Sequence, residues 1–319
     1  MASAEKYLRP EVIRQVARLD LRAKFIIQGF LTGLHASPFQ GFSVEFSEHR
    51  KYNPGDDLKY LDWGVYAKTG KYFIKKFQAE TNMTGYLVMD LSKSMDWNGR
   101  AEAKKAKVKL STESPSGSDE TLTKFDYGIC LAAALGYLMI YQQDPVGLVA
   151  FDTKLTTVIP PKSKRSQLGT ILSVLANLKP TGETNIADSL FQLASMIKGK
   201  SLVMLFSDLI TDPEPVMRSM YRLRYSGHEV ILFHILDELE VNFPITGLVD
   251  FEDVEKPADH LEIDAAGIRE DYLAAVTDLR EHYKRECANA NIDYVAMDTS
   301  VGFDKALLDY LVLRQRRFG

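Results

Sequence analysis

The stretch Met89-Asp90-Leu91-Ser92-Lys93-Ser94-Met95 places one carboxylate and two hydroxyls at the end of the apolar run TGYLVMD, which reads as a buried strand. Spacing by two lets both hydroxyls of a loop turning off the strand point at one centre, while Asp90 stays at the strand tip. Farther along, the loop Gly182-Glu183-Thr184-Asn185 offers a third hydroxyl on Thr184, and the apolar strand SLVMLFS ends in Asp208. Two carboxylates and three hydroxyls, with no His or Cys among them, are hard oxygen donors of the kind that hold Mg²⁺ or Mn²⁺ rather than zinc. The same residue types also cap helices and make turns. Thr184 is placed to N-cap the helix NIADSLFQL, and Asp208 with Asp212 to cap the helix containing PVMRSM.

Such residues converge only if the elements beneath them bring them to one edge. From residue 83 to 319 the pattern alternates apolar strands (GYLVMD, GLVAFD, TTVIP, SLVMLFSD, EVILFHILD, IDYVAMD) with helices such as KFDYGICLAAALGYLMIYQQ and AAGIREDYLAAVTDLREHYKRECANA. Strands apolar throughout and separated by helices predict an α/β domain with a doubly wound, mostly parallel sheet covered on both faces. In such sheets the binding crevice lies beyond the carboxyl ends of the strands, where Asp90, Thr184 and Asp208 fall. LVDFEDV and HLEIDA alternate polar with apolar, which predicts a hairpin or edge pair exposed on one side.

Residues 1–82 read differently, as an accessory region. Apolar positions from Pro10 to Leu34 repeat at helical spacing, and the short alternating segments FSVEFS and KYFIKKF flank the turn-rich stretch EHRKYNPGDDLKYLDW. In that stretch Asn53-Pro54-Gly55-Asp56 predicts a turn. Arg50, Asp56, Asp57 and Asp62 suit a structural ion network, and Trp63 suits packing between the two regions. The segment 97–125, with Lys104, Lys105, Lys107 and Lys109 followed by STESPSGSDE, has the composition of a solvated loop.

Composition narrows the function classes. A chain of 319 residues, 45% hydrophobic and 26% charged, buries a substantial core, and a net charge of −4 supplies no basic field for nucleic acid. Cys130 and Cys287 each sit in an apparent helix and read as reduced core thiols. No apolar run long enough to span a membrane is present, and MASAEKYLRPEVIRQ carries charges where a secretory segment would be apolar, so a cytoplasmic protein is expected.

Asp90-Leu91-Ser92-Lys93-Ser94, Thr184 and Asp208 resemble the three parts of the metal-ion-dependent adhesion site of von Willebrand factor A-type domains. More narrowly, FSVEFSEHRKYNPGDDLKYLDWGVYAKTGKYFIKKFQAETN followed by LVMDLSKSM is similar to bacterial family 58 of the domains of unknown function (DUF58). KFDYGICLAAALGYLMIYQQDPVGLVAFD and FDKALLDYLVLRQRR extend that likeness along nearly the whole chain. The resemblance implies a von Willebrand A-like fold and a Mg²⁺ site that leaves one coordination position for the carboxylate of a protein partner. It further implies a non-enzymatic role as adaptor or co-chaperone beside a MoxR-type AAA+ ATPase. The polar stretch after Ser94 departs from the family pattern.

Enzyme readings find less support. Lys198-Gly199-Lys200-Ser201 is similar to the end of a phosphate-binding loop, but the first glycine of that motif would fall at Ala194, and the stretch leads from helix into strand. The six histidines show no compact ligand spacing, and no serine sits in a G-x-S-x-G elbow. A Mg²⁺-dependent phosphatase of haloacid-dehalogenase-like chemistry would use Asp90 as nucleophile, yet Ser92 stands where that chemistry expects a second Asp. A structural assembly subunit with a vacant site is the remaining alternative.

Overall fold

The computed structural model describes residues 44–53, 61–79, 83–111, 122–180, 182, 184–252 and 260–318. The expected helix over Pro10–Leu34, the turn residues Pro54, Gly55, Asp56 and Asp57, and residues 112–121 of the polar segment lie outside these. The chain runs β1 (Val44–Lys51), α1 (Trp63–Thr69), β2 (Phe73–Ala79), β3 (Thr84–Asp90), α2 (Gly99–Lys105), β4 (Lys109–Leu110), α3 (Lys124–Tyr141), β5 (Val146–Phe151) and β6 (Leu155–Lys162). It continues α4 (Arg165–Leu175), α5 (Ile186–Met196), β7 (Ser201–Ser207), α6 (Pro213–Tyr225), β8 (Glu229–Leu236), α7 (Glu238–Asn242), β9 (Ile245–Thr246), β10 (Leu248–Glu252), β11 (His260–Asp264), α8 (Ala265–Asn289), β12 (Asp293–Asp298) and α9 (Phe303–Phe318).

Six strands form the central sheet in the order β12-β8-β7-β3-β5-β6. All neighbouring pairs are parallel except β5 with β6. The mostly parallel α/β sheet expected from the sequence is therefore present. β6 is an antiparallel edge strand whose residues alternate between half-buried and exposed, and its Pro160 and Pro161 are tolerated because an edge strand leaves N–H positions unused. β3, β5 and β7 are buried along nearly their whole length, and successive β3 residues serve opposite faces. Leu87 and Met89 join the core beneath α3, whereas Tyr86 and Val88 join the core with α5 and α6.

Strand order reverses at β3. From β3 the chain moves outward to β5 and β6, then returns to β7 on the other side of β3 and proceeds to β8 and β12. Connections leaving β3 and β7 thus diverge, and a crevice opens beyond their carboxyl ends. β10 and β11 pair antiparallel outside the main sheet, as their alternation predicts.

One accessory expectation changes. Trp63 is 62% exposed and meets Tyr66 edge-on, so it does not fill an interior contact. Asp62 also serves as a helix cap, its Oδ1 accepting from the amides of Gly64 and Val65 at 2.9 and 3.0 Å, while Asp56 and Asp57 of the expected ion network lie outside the described residues. The described part of the polar segment after Ser94, residues 97–111, carries regular structure. Asn98 caps α2, Ala103 is buried, and β4 pairs with β9.

Gly147 in β5 has no room for a side chain, since a Cβ there would lie 2.6 Å from the backbone carbonyl of Ile159 in β6. Gly147→Ala must push the edge strand away, and we expect a loss of about 1–3 kcal/mol in urea unfolding. An unchanged denaturation midpoint would show that β6 yields without resistance.

Candidate metal centre

Register assembles the centre. Met89 of β3 stands opposite Phe206 of β7, so the next residues, Asp90 and Ser207, are neighbours at the strand tips. The Ser207 hydroxyl donates to Asp90 Oδ2 at 2.6 Å, and the Ser92 amide donates to Asp90 Oδ1 at 2.8 Å. Asp90 and Ser92 are fully buried. A 3₁₀ turn over Lys93–Asp96 then swings the chain aside and brings the Ser94 hydroxyl to within 3.1 Å of the Ser92 hydroxyl. The hydroxyl pair anticipated from the spacing is formed.

The second loop is tied to the first. Ser92 and Gly182 form a parallel bridge, with the Lys93 amide donating to the Gly182 carbonyl at 2.9 Å, and Gly182 holds a φ of 132° that favours glycine. Thr184 is not the helix cap. Asn185 takes that role by accepting from the Asp188 amide, while the Thr184 hydroxyl donates to the Asp152 carbonyl at 3.2 Å. The third loop starts with a tight turn after β7, where buried Leu209 sits at φ 52°, a strained value for a branched side chain. Asp212 caps α6 as expected, whereas the Asp208 carboxylate turns inward and is 2% exposed.

The electrostatics follow from burial. Loss of water, then the nearby charge of Asp208, pushes the Asp90 carboxyl up to about 7 despite the donors Ser207 and Ser92. Beneath Asp208, His234 Nε2 lies 2.9 Å from the Asp208 carbonyl and Nδ1 lies 2.8 Å from the Tyr294 hydroxyl. Burial pushes this imidazole down to about 4, so it is neutral, and its Nε2–H donates to the carbonyl. The ring is a prop for the turn rather than a ligand.

Three residues of the centre escaped the sequence reading. One is Ser207. The other two are Lys124 and Glu240, for Lys124 Nζ lies 2.8 Å from Asp208 Oδ2 and 2.6 Å from Glu240 Oε1. Burial opposes the ammonium, but the two carboxylates outweigh it and hold Lys124 above the usual lysine range. One signal was available: Lys124 is the first residue of α3, where a positive charge opposes the helix dipole and so needs a specific partner.

The family model described as "Protein of unknown function DUF58" matches residues 48–113 and 106–282. The chain belongs to this DUF58 family. Relatives include the uncharacterized protein Rv1480 of Mycobacterium tuberculosis and Mb1516 of Mycobacterium bovis, each 24% identical over 311 residues, covering 96% of this chain and 91% of the relative. Among solved structures it is similar to the conserved hypothetical protein BatB from Bacteroides thetaiotaomicron, with TM-score 0.41, 14% identity, and coverage of 74% of this chain and 99% of that one. It is also similar to the PilB minor pilin from Streptococcus sanguinis, with TM-score 0.38, 15% identity, and coverage of 78% and 65%.

Among the described residues of this DUF58 chain, no group of three or more His, Cys, Asp or Glu side chains is arranged around a metal position, and no helix is long and apolar enough to cross a membrane. The donor set at the β3 and β7 tips is of another kind, two carboxylates with hydroxyls, and its excess of buried negative charge fits a hard divalent ion. Asp90, Ser92 and Ser94 are presented together. Thr184 and Asp208 are each engaged elsewhere, with Asp152 and Lys124.

The raised Asp90 carboxyl carries a pH signature. Its folded value of about 7 exceeds the ordinary 3.8, so the native state holds a proton that the unfolded chain has released. Relative to Asp90→Asn, native stability in the presence of a chelator should therefore fall as pH rises from about 4 to 7 and level off above, by roughly 4 kcal/mol. Ser207→Ala removes a donor to the ionised form and should deepen that fall. Urea unfolding at pH 5 and pH 8 measures both, and parallel profiles for native chain and Asp90→Asn would contradict this assignment.

Proposed function

We propose that this DUF58 chain is a metal-dependent protein-binding module with a von Willebrand A-like adhesion site. The observation that carries the proposal is the presence of two buried carboxylates near the switch point, Asp90 and Asp208, close enough for the charge of Asp208 to raise the Asp90 carboxyl, beside the hydroxyl pair Ser92 and Ser94. Asp90, Ser92, Ser94, Thr184 and Asp208 would hold Mg²⁺ or Mn²⁺. Such an ion supplies Lewis-acid attraction for a partner Asp or Glu carboxylate. The chain's own residues set the stage for that contact. Ser207 and the Ser92 amide fix both Asp90 oxygens, the Gly182 bridge fixes the second loop against the first, and His234 fixes the Asp208 turn. The resemblance to DUF58 and A-type domains supports a MoxR-type AAA+ ATPase as partner, with an adaptor or co-chaperone role and no catalytic turnover.

A Mg²⁺-dependent phosphatase is less well supported, because Ser92 stands two residues after Asp90, where haloacid-dehalogenase-like chemistry expects a second Asp. An assembly subunit without metal draws support from one observation, the Lys124 ammonium on Asp208.

Calorimetry and thermal melting with Mg²⁺ and Mn²⁺ test the proposal. Saturable binding is expected, with a stabilisation approaching about 2.7 kcal/mol at a hundredfold excess over Kd, and both effects should vanish in Asp90→Ala. Flat responses of both proteins over millimolar metal would refute the adhesion reading, and metal-dependent phosphate release from simple esters would replace it with the phosphatase.

A further inference from the structure

Lys124 is fixed from several sides. Its side chain is 1% exposed, its ammonium bonds Asp208 and Glu240, and the Trp97 ring lies 5.8 Å away from centroid to Nζ. Glu240 is itself pinned. Its other oxygen, Oε2, accepts the Asp237 amide at 2.7 Å in a capping box that opens α7, and Asp237 Oδ1 accepts the Leu239 amide. Arg100 of α2 clamps the neighbouring Glu238 with two bonds of 2.8 Å, and Asp237 Oδ2 accepts the Gly99 amide at 3.3 Å. A Cβ at position 99 would lie 2.6 Å from Asp237 Oδ1, so the approach of α2 to α7 requires glycine. α3 gains nothing from a lysine at its first position, because Thr123 already caps it. The carboxylates account for the lysine.

We infer that Lys124 is a resident cation that competes with the divalent ion for Asp208, and so weakens the metal affinity of the site. This rests on the metal-binding reading above. Asp90, Asp208, Glu240 and Asp237 bring four carboxylates to this end of the crevice against the one ammonium of Lys124, an excess of negative charge when all are ionised. A divalent ion would offset part of that excess. Yet Asp208 Oδ2 is already engaged by the ammonium, and Oδ1 accepts only a long bond of 3.4 Å from the Ile210 amide among the described contacts. The ion therefore meets a third loop that is half neutralised and a fixed positive charge behind it. Removing that charge, while keeping the side-chain volume, should turn a weak site into a tighter one.

Mg²⁺ titration of the full chain by calorimetry, comparing the native protein with Lys124→Met, tests this. Lys124→Met is expected to bind Mg²⁺ at least tenfold more tightly and to melt lower in chelator, with the loss recovered on adding Mg²⁺. Glu240→Gln is expected to bind more weakly than the native chain, because Lys124 is then wholly committed to Asp208. Should Lys124→Met not fold, Lys124→Met combined with Glu240→Gln removes both charges, and it should bind Mg²⁺ more tightly than Glu240→Gln alone. Equal or weaker binding in the lysine variants, beside a native chain that binds, overturns the inference and leaves the metal-binding reading intact. Binding by the lysine variants alone supports the inference and refutes a metal-loaded native site. Absence of binding in every protein overturns both.

Discussion

Two buried carboxylates that feel each other's charge, one at the tip of β3 and one just past the tip of β7, are the constraint around which this end of the molecule is arranged. Like charges removed from water do not both ionise without compensation. Asp90 answers with donors from Ser207 and Ser92 and a carboxyl shifted toward its neutral form, and Asp208 answers with the ammonium of Lys124. Each compensator then needs support of its own. Lys124 brings in Glu240, Glu240 brings in the capping box of α7, and α7 brings in α2 through Arg100. A buried ion pair of this kind adds little net stability over apolar packing, but removing one partner leaves an uncompensated charge, which makes the set interdependent.

The frame was legible because its signals are local. Strands such as SLVMLFS and GYLVMD are apolar at every position, as a sheet covered on both faces requires, and helices such as KFDYGICLAAALGYLMIYQQ punctuate them without long gaps. LVDFEDV and HLEIDA alternate and form the separate hairpin for the same reason. TTVIP lies in a strand whose burial alternates, and Pro160 with the following Pro161 marks an edge. Counting it with the buried strands overlooked that an antiparallel edge strand needs only one apolar face.

The centre was legible only where its residues lie within a few positions of one another. Asp90, Ser92 and Ser94 share one turn, and their spacing implied the hydroxyl pair that forms. For Thr184 a cap was the alternative to a ligand, because two neighbouring residues, Thr184 and Asn185, suit the same position; Asn185 takes the cap and the Thr184 hydroxyl goes to the Asp152 carbonyl in a distant loop. Lys124 reaches Asp208 across 84 residues and Glu240 across 116, separations that leave no periodic trace. Only the wrong-signed charge at a helix start marks it. The lysines at 104, 105, 107 and 109 looked more conspicuous as a cluster, yet the lysine whose ammonium reaches Asp208 stands at the foot of an apolar helix.

That ammonium also bears on how folding and metal binding relate. A site built from carboxylates alone leaves them mutually repelling when the ion is absent, so metal binding becomes folding energy and the apo chain is compromised. With Lys124 on Asp208, and Asp90 shifted toward its neutral form, part of the crevice's negative charge is offset before any ion arrives. Under the proposed metal-binding reading, folding would then make less demand on the metal. On the same reading, an ion entering such a site would spend little of its binding energy on rescuing the fold, and more of its charge would remain for an incoming carboxylate.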